Sequence, residues 1–373
     1  MMSHDADDGT LHVRAPIVLF IPGLEGGGAQ RVFVNLANTL VDLTPHPVIL
    51  LVLRRGGVFE KDLRPEVEVV NLASGRVSRS VPALTQYLRK VHPQVLCSTL
   101  NYCNVAAVAA WCLAGRPCRL VVREANVLNS AGRLMRFLMR WTYPLADGVV
   151  ALSPEIRNTL IQSGIAAAEK VVEIGNPGVF EVLPKKLAPP EFLPLPLPKF
   201  ICAVGRLYKQ KGFDNLLEAF AGLTNESLHL VILGEGPQRS ELEAKSVALS
   251  IDGRVHMPGF ISKPMEVVAQ AELFVLSSRW EGFPNVLLEA LWTGTPVVAC
   301  NGEGAMRTIL ENGKHGHLVL PEDPNALREG IQQALSLPRG AVDTRKARAL
   351  DFSADKVVSA YLKKAFCLPL QPN

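Results

Sequence analysis

The chain has 373 residues, of which 48% are hydrophobic and 20% are charged, and its formal net charge is +4. This composition excludes a chain that is disordered over most of its length, and so small a positive charge gives no indication of nucleic-acid binding. The length predicts two domains rather than a single core.

The first half of the chain alternates apolar strands with helical patterns. Residues 1–12 are polar and acidic and are expected to be a disordered tail, after which IVLFI (17–21), a glycine loop and a helical pattern follow. Further strands are predicted at 48–53, 67–72, 94–98, 119–124, 148–153 and 171–176. Continuous apolar strands separated by helices are typical of a parallel sheet with helices on both faces, which we expect over 13–183.

The second half repeats this alternation. Residues 184–198 are rich in proline, which sustains neither a helix nor a central strand, so a linker is predicted there. Strands are then predicted at 200–205, 228–234, 255–260, 271–278, 295–300 and 317–320. They define a second domain over 199–345, and an amphipathic helix over 355–367 is expected to pack back on the first domain. The predicted fold is therefore α/β, with two Rossmann-like doubly wound domains facing a central cleft.

Two cations follow the first strand of the second domain, in VGRLYKQKG. Arg206 offers a planar fork for phosphate oxygens, and Lys211 offers a compact point charge. Together they are suited to hold a diphosphate and to stabilise negative charge as it leaves. The alternative is a solvated basic loop without a ligand.

The segment EGFPNVLLEA, after a later strand of the second domain, has the pattern of a helix N-terminus. Pro284 has the fixed φ suited to the first helical turn, so the helix is expected to begin there. The backbone N–H groups around Phe283, Asn285 and Val286 would then point at a bound anion. Phosphate is therefore predicted at this turn.

Two carboxylates, Glu281 and Glu289, flank that turn. Phosphate repels a nearby carboxylate, so these side chains are better acceptors for sugar hydroxyls, one on each side of the phosphates. A nucleotide sugar, with ribose, diphosphate and hexose in series, has this shape. The alternative is that Glu281 only interacts with the helix dipole and that Glu289 is solvated, although Glu289 lies in an apolar run where burial without a partner is costly.

With GEGP (234–237) and GTPVVA, these motifs resemble the group 1 glycosyltransferases, the retaining family 4 with the two-domain GT-B fold, over nearly the whole chain. The most specific element is Glu-x7-Glu, from Glu281 to Glu289. The resemblance implies that Arg206 and Lys211 neutralise the β-phosphate and that the turn from Gly282 to Val286 binds the nucleotide sugar. It also implies that Glu281 contacts the transferred sugar, that Glu289 holds the ribose, and that the anomeric configuration is retained.

In the first domain, GLEGGGAQR resembles the glycine loop of the same family. Gly27 and Gly28 would let the backbone approach the diphosphate from the opposite wall of the cleft. A dinucleotide-binding turn is the alternative, but G-x-G-x-x-G is absent, and the next strand ends in Arg54 and Arg55 where NAD binding requires an acid. An NADP-dependent enzyme remains an alternative, although it would explain none of the motifs of the second domain.

The chain departs from the family pattern at REANVLNS (123–130), where many relatives carry a histidine and this sequence has Glu124. Glu124 is expected to orient the acceptor or assist proton transfer, or else to form a structural salt bridge with Arg123 or Arg133. A second departure, Thr308 within 302–310, leaves the donor hexose open.

No metal or other cofactor is expected, because the only Asp-x-Asp pair, Asp5 and Asp7, lies in the predicted tail. In segment 132–146 three arginines recur at helical spacing, and aromatic and aliphatic residues lie on another side of the same helical pattern. It is predicted to contact an anionic membrane or a lipid diphosphate, or to pack on the core.

The chain is expected to be cytoplasmic, at the inner face of the cell membrane. Its first residues include acids where a signal peptide needs bases, no apolar run reaches the length of a membrane span, and the scattered cysteines favour free thiols.

The expected function is therefore retaining, metal-independent transfer of a hexose from a UDP-linked sugar to a hydroxyl of a glycan. A polyprenyl-linked oligosaccharide or another cell-envelope glycan is the expected acceptor. Two other classes stay open: a nucleotide-sugar 2-epimerase with the same two domains, and a non-catalytic nucleotide-sugar binder.

Overall fold

The computed structural model describes residues 14–128, 131–178, 180, 182–194, 196–340 and 342–370. It contains two parallel sheets, as predicted. The expected tail over 1–12, and with it Asp5 and Asp7, lies outside the described residues.

The first sheet has seven strands in the order β3-β2-β1-β4-β5-β6-β7. The strands are β1 (Ile17–Ile21), β2 (Val48–Val52), β3 (Val67–Asn71), β4 (Val95–Thr99), β5 (Arg119–Glu124), β6 (Gly148–Ala151) and β7 (Val171–Glu173). All predicted strands of this half are present, but β6 ends before its predicted limit at 153. The reason is that the Ser153 side chain accepts a hydrogen bond from the Ile156 N–H and caps the next helix.

Helices cover both faces of this sheet, which explains why β1, β2 and β4 are buried along their whole length. The helices are α1 (Gly28–Leu43), α2 (Val81–Val91), α3 (Asn101–Leu113), α4 (Arg133–Thr142) and α5 (Pro154–Gln162).

The second sheet has six parallel strands in the order β10-β9-β8-β11-β12-β13. They are β8 (Phe200–Val204), β9 (His229–Leu233), β10 (Val255–Gly259), β11 (Leu273–Leu276), β12 (Val297–Cys300) and β13 (His317–Val319). The helices of this half are α6 (Phe213–Ala221), α7 (Arg239–Ala248), α8 (Pro264–Val268), α9 (Asn285–Thr293), α10 (Met306–Ile309), α11 (Pro324–Ser336) and α12 (Val342–Leu350). Two doubly wound sheets thus form, and this confirms the predicted fold class.

The end of the chain returns to the first sheet. Helix α13 (Ala354–Ala360) continues into a π-helical turn over Tyr361–Phe366. Tyr361 and Phe366 are buried in the same apolar cluster as Phe33 of α1, and the guanidinium of Arg119 donates to the Ala365 carbonyl at 2.7 Å. The C-terminal segment is therefore part of the first core.

The described residues of 184–198 contain no helix or strand. Beside this segment, the Gly178 N–H donates to the Phe352 carbonyl at 2.8 Å, and the Ala354 N–H donates to the Gly178 carbonyl at 2.9 Å. The two crossings of the chain between the sheets therefore pair with each other. The domain limits at 183/184 and 198/199 stay a prediction.

Candidate functional site

The predicted site residues of the second domain lie on neighbouring strands. Strands β8 and β11 pair directly, and Arg206 and Lys211 follow β8 while the segment from Glu281 to Glu289 follows β11. Because parallel strands end at the same edge, both loops lie where an open α/β sheet binds ligands.

Lys211 and Glu281 form a buried ion pair. Nζ of Lys211 lies 2.5 Å from Oε1 of Glu281, and the two side chains are only 16% and 9% exposed. The Ser278 hydroxyl donates to the same Oε1 at 2.6 Å. An ammonium has three N–H donors, so Lys211 can keep this bond and still donate to an anion.

Residues that follow β11 hold the loop that carries Lys211 in place. The Ser277 hydroxyl donates to the Lys211 carbonyl at 2.8 Å, and the Arg279 N–H donates to the Gln210 carbonyl at 2.8 Å. The Arg279 guanidinium makes two hydrogen bonds to Asp214, at 2.8 and 2.9 Å. Burial alone would raise the pKa of Asp214, but these hydrogen bonds from Arg279 outweigh it and lower the pKa.

Arg206 is exposed at the same sheet edge. Its guanidinium carbon lies 5.1 Å from the centre of the Tyr208 ring, a cation–π geometry that limits the movement of the side chain. Sequence reasoning did not single out Tyr208, because an aromatic residue in a short loop carries no periodic signal.

The turn before α9 differs in one detail from the prediction. The helix begins at Asn285, and Pro284 is the residue before it, with ψ at 92°, outside the helical range. The Leu287 N–H donates to the Pro284 carbonyl at 3.0 Å, so the N–H groups of Asn285 and Val286 stand at the open end of the helix. Glu289 is half-buried further along α9.

Glu124 is buried at the end of β5, in the first domain. The Tyr143 hydroxyl donates to its Oε2 at 2.6 Å, and the Asn126 N–H donates to its Oε1 at 3.1 Å. Burial raises the pKa of Glu124, and these two hydrogen bonds oppose the rise without cancelling it. The salt-bridge alternative is wrong, because within the described chain neither Arg123 nor Arg133 lies within salt-bridge distance of Glu124.

The two domains touch beside Glu124. A Cβ added to Gly282 would lie 1.8 Å from the Ala125 carbonyl oxygen, so the backbone approaches the first domain more closely than any side chain allows. Phe283 packs edge-on against Phe352, with ring centres 5.5 Å apart. These contacts bring the predicted residues of the two domains to one cleft.

The glycine loop lies between β1 and α1. Gly27 precedes α1 and Gly28 is its first residue. A Cβ added to Gly28 would meet no atom within 4 Å. The space beside Gly28 is therefore open to a ligand, whereas a Cβ added to Gly27 would lie 2.8 Å from Oε1 of Gln30.

A cavity of about 890 Å³ lies between the domains. Val127 and Glu155 line it from the first domain, and Trp280, Asn301 and Arg307 line it from the second. A smaller cavity of about 140 Å³ shares Val127 and Glu155 and reaches Glu124. Carboxylates, an amide and an indole are the groups that bind sugar hydroxyls and apolar sugar faces.

Helix α4, within segment 132–146, exposes apolar side chains. Leu134, Phe137 and Trp141 are 72%, 58% and 68% exposed, so this face does not pack on the core. Arg133 and Arg140 are exposed on the same helix. In the part of the chain that the structure describes, no helix is long and apolar enough to cross a membrane, and no group of three or more His, Cys, Asp or Glu side chains is arranged to hold a metal ion.

Two family models match the two halves of the chain. Residues 26–177 match Glycosyltransferase Family 4, and residues 191–350 match Glycosyl transferases group 1. The fold and the two family models therefore define a glycosyltransferase with the GT-B fold. The chain belongs to the group 1 glycosyltransferases, as the motifs predicted.

Full-length relatives and solved structures agree with this assignment. N-acetylgalactosamine-N,N'-diacetylbacillosaminyl-diphospho-undecaprenol 4-alpha-N-acetylgalactosaminyltransferase of Campylobacter jejuni is 29% identical, over 92% of this chain and 98% of the relative. The fold is similar to that of the lipopolysaccharide outer core galactosyltransferase WaaB, with a TM-score of 0.75 and 21% identity over 93% and 98% of the two chains. It is also similar to Anabaena HepE in complex with UDP and glucose, with a TM-score of 0.70 and 21% identity over 93% and 95%.

Proposed function

We propose that this glycosyltransferase moves a hexose from a UDP-linked sugar to a hydroxyl of a glycan, with retention of configuration and without a metal ion. The buried pair of Lys211 and Glu281 carries the proposal. It sets a cation for the diphosphate and an acceptor for sugar hydroxyls side by side, immediately before the open end of α9.

The chemical step breaks the bond between the anomeric carbon and the β-phosphate oxygen and forms a bond from the same carbon to the acceptor oxygen. Negative charge develops on the departing phosphate, which takes the proton of the acceptor hydroxyl and leaves as UDP. Arg206 and Lys211 stabilise this charge, and the N–H groups of Asn285 and Val286 add donors to the same anion. Glu281 accepts a hydrogen bond from the transferred sugar, and Glu289 accepts one from the ribose. The fixed cations take the part that a metal ion has in other transferases.

The first domain completes the cleft in this proposal. Gly27 and Gly28 bring backbone to the diphosphate from the opposite wall, and Glu124 orients the acceptor hydroxyl. The cavity of about 890 Å³, which the smaller one extends towards Glu124, receives the sugars of the acceptor. Closure of the domains then excludes water from the reacting atoms.

Names of the similar proteins support a lipid-linked or lipopolysaccharide acceptor and a UDP donor. The Campylobacter relative is named for a diphospho-undecaprenol substrate, WaaB for the lipopolysaccharide outer core, and HepE was solved with UDP. In this chain the exposed basic and apolar face of α4 contacts the anionic inner face of the membrane, where such an acceptor is held.

Saturation-transfer NMR tests the donor. Wild type and Glu289→Ala are compared, without added metal and with EDTA, against UDP-Glc, UDP-Gal, UDP-GlcNAc, UDP-GalNAc, GDP-Man and NADPH. Binding of one UDP-sugar by wild type, lost in the variant, supports the proposal. Binding of NADPH alone, or of no compound, overturns it.

Product analysis separates the transferase from the two other classes. UDP release that requires a glycan hydroxyl, with the hexose recovered on that glycan, supports transfer. A 2-epimerase would convert the UDP-sugar into its C2 epimer without an acceptor, and a non-catalytic binder would leave the donor unchanged.

A further inference from the structure

A chain of three side chains crosses between the domains at the start of α9. The buried guanidinium of Arg123, on β5, donates to Thr99 Oγ1 at 2.8 Å and to Asn176 Oδ1. Asn176 is also buried, and its Nδ2 lies 2.7 Å from Oδ1 of Asn285. The first residue of α9 is thus linked to the first sheet.

Chemistry fixes the direction of these hydrogen bonds. An arginine side chain has donors only, so the atom of Asn176 that faces Arg123 must be its oxygen. Asn176 therefore presents its NH2 group to Asn285, which must accept with its own oxygen. The NH2 group of Asn285 is then turned away from Asn176.

The positive charge of Arg123 makes this orientation firm. The Arg123 guanidinium donates to the neutral oxygens of Thr99 and Asn176, and its charge also acts on the neighbouring Glu124, where it opposes the rise in pKa that burial causes. A charge-assisted hydrogen bond in a buried site is stronger than one between neutral groups. Rotation of the Asn176 amide would place its NH2 group against the guanidinium, which is strongly unfavourable.

We infer that Asn285 binds the donor diphosphate through its side-chain Nδ2, and that Arg123 and Asn176 are positioning residues that aim this group. The side chain and the N–H groups of Asn285 and Val286 belong to the same open end of α9, so they supply donors to one anion. The inference rests on the proposed function, because the anion is the diphosphate of the nucleotide. The inference also makes donor binding depend on the position of the first domain, because Asn176 must stay in place to orient the side-chain amide of Asn285.

Asn176→Asp reverses the polarity of this chain. The new carboxylate pairs with Arg123 and can only accept, so Asn285 must turn its NH2 group inward and its carbonyl oxygen toward the phosphate. By calorimetry, the Kd for UDP should rise at least about tenfold, while the Tm stays equal to or above that of wild type. If Asn176 had only a structural role, the affinity for UDP would fall only when the Tm falls as well. The matched control is Asn158→Asp, which adds the same charge at an exposed position of α5 and should leave both unchanged.

The same substitution in the Asn285→Ala variant distinguishes two causes of weaker binding: rotation of the Asn285 amide, and repulsion of the phosphate by the new carboxylate. In Asn285→Ala there is no amide to turn, so adding Asn176→Asp should weaken UDP binding by less than about twofold. An equal loss in both backgrounds, or no loss in either, overturns the inference and leaves the proposed function standing. Failure of wild type to bind UDP overturns both.

Discussion

Nζ of Lys211 lies 2.5 Å from Oε1 of Glu281, although the two residues are 70 positions apart in the chain. The pair is nearly closed to solvent, so each charge depends on the other for its compensation. In our proposal the Lys211 ammonium also donates a hydrogen bond to the donor diphosphate. The ion pair then has both a structural and a catalytic role.

Lys211→Met should lower the free energy of unfolding by about 1–3 kcal/mol, because it leaves the Glu281 carboxylate buried without its cation. The double variant Lys211→Met with Glu281→Gln should regain part of this loss, since no unpaired charge remains. Urea unfolding midpoints measure both effects, and strictly additive losses would contradict the coupling. Neither variant should transfer sugar.

Arg206→Ala should affect the reaction and not the fold. The side chain is exposed and stacks on Tyr208, so the free energy of unfolding should change by less than about 0.5 kcal/mol. The rate of sugar transfer should fall about 10²–10³-fold, as expected when one donor to a developing anion is lost. Arg254→Ala is a control for arginine loss in the same domain, because Arg254 stacks on Phe220 away from this loop. A rate within twofold of wild type would exclude Arg206 from the phosphate site.

The fold could be predicted from the sequence because its strands are continuous apolar runs. Such runs, as in β1 and β5, are buried by helices on both faces and leave a signal over five or six consecutive residues. Topology then placed Arg206, Lys211 and Glu281 at one sheet edge without any knowledge of their contacts.

The polar contacts of the site could not be predicted. Tyr143 reaches Glu124 from 19 positions away, and Asn176 reaches Asn285 from 109 positions away. Nothing in the spacing of single polar residues states which way their side chains point or which partner they meet. For the same reason the sequence left a salt bridge to Arg123 or Arg133 open as one alternative for Glu124, whereas in the folded chain the Tyr143 hydroxyl donates to this carboxylate.

The buried carboxyl group of Glu124 should make stability depend on pH. Burial raises its pKa above the ordinary value of 4.5, so above pH 4.5 the unfolded chain loses this proton first and the folded chain holds it longer. Stability contributed by Glu124 is therefore lost as the pH rises from 4.5 through the folded pKa.

Glu124→Gln removes that titration and tests it. The free energy of unfolding of the variant, relative to wild type, should rise as the pH increases above 4.5 and become constant once the pH exceeds the folded pKa of Glu124. Any loss of the hydrogen bond from Asn126 adds an offset that does not change with pH. Urea unfolding at each pH measures the difference, and a difference independent of pH would contradict the raised pKa.

Gly282→Ala should separate the two domains at the site. The added Cβ would lie 1.8 Å from the Ala125 carbonyl oxygen, and only a shift of the whole turn relieves that overlap. Sugar transfer should fall at least about tenfold, because small displacements of reacting groups are costly, and the radius of gyration from X-ray scattering should increase. Gly253→Ala is the matched control, since its Cβ would meet no atom within 4 Å. Equal rates in the two variants would show that this close approach has no part in the reaction.

The exposed face of α4 makes the membrane proposal testable without knowledge of the substrate. Replacing both Phe137 and Trp141 by alanine should weaken binding to phosphatidylglycerol vesicles at least about tenfold, because these side chains supply the buried apolar area. Val247→Ala, an equally exposed apolar residue on α7, should leave vesicle binding unchanged. Binding of wild type to these vesicles should also weaken as the salt concentration is raised, because salt screens the attraction between the exposed arginines of α4 and the anionic lipid headgroups. UDP binding should survive in the double variant, so a lost vesicle interaction reports on α4 alone. Undiminished vesicle binding by that variant would place the membrane contact elsewhere on the molecule, and failure of wild type to bind would remove it.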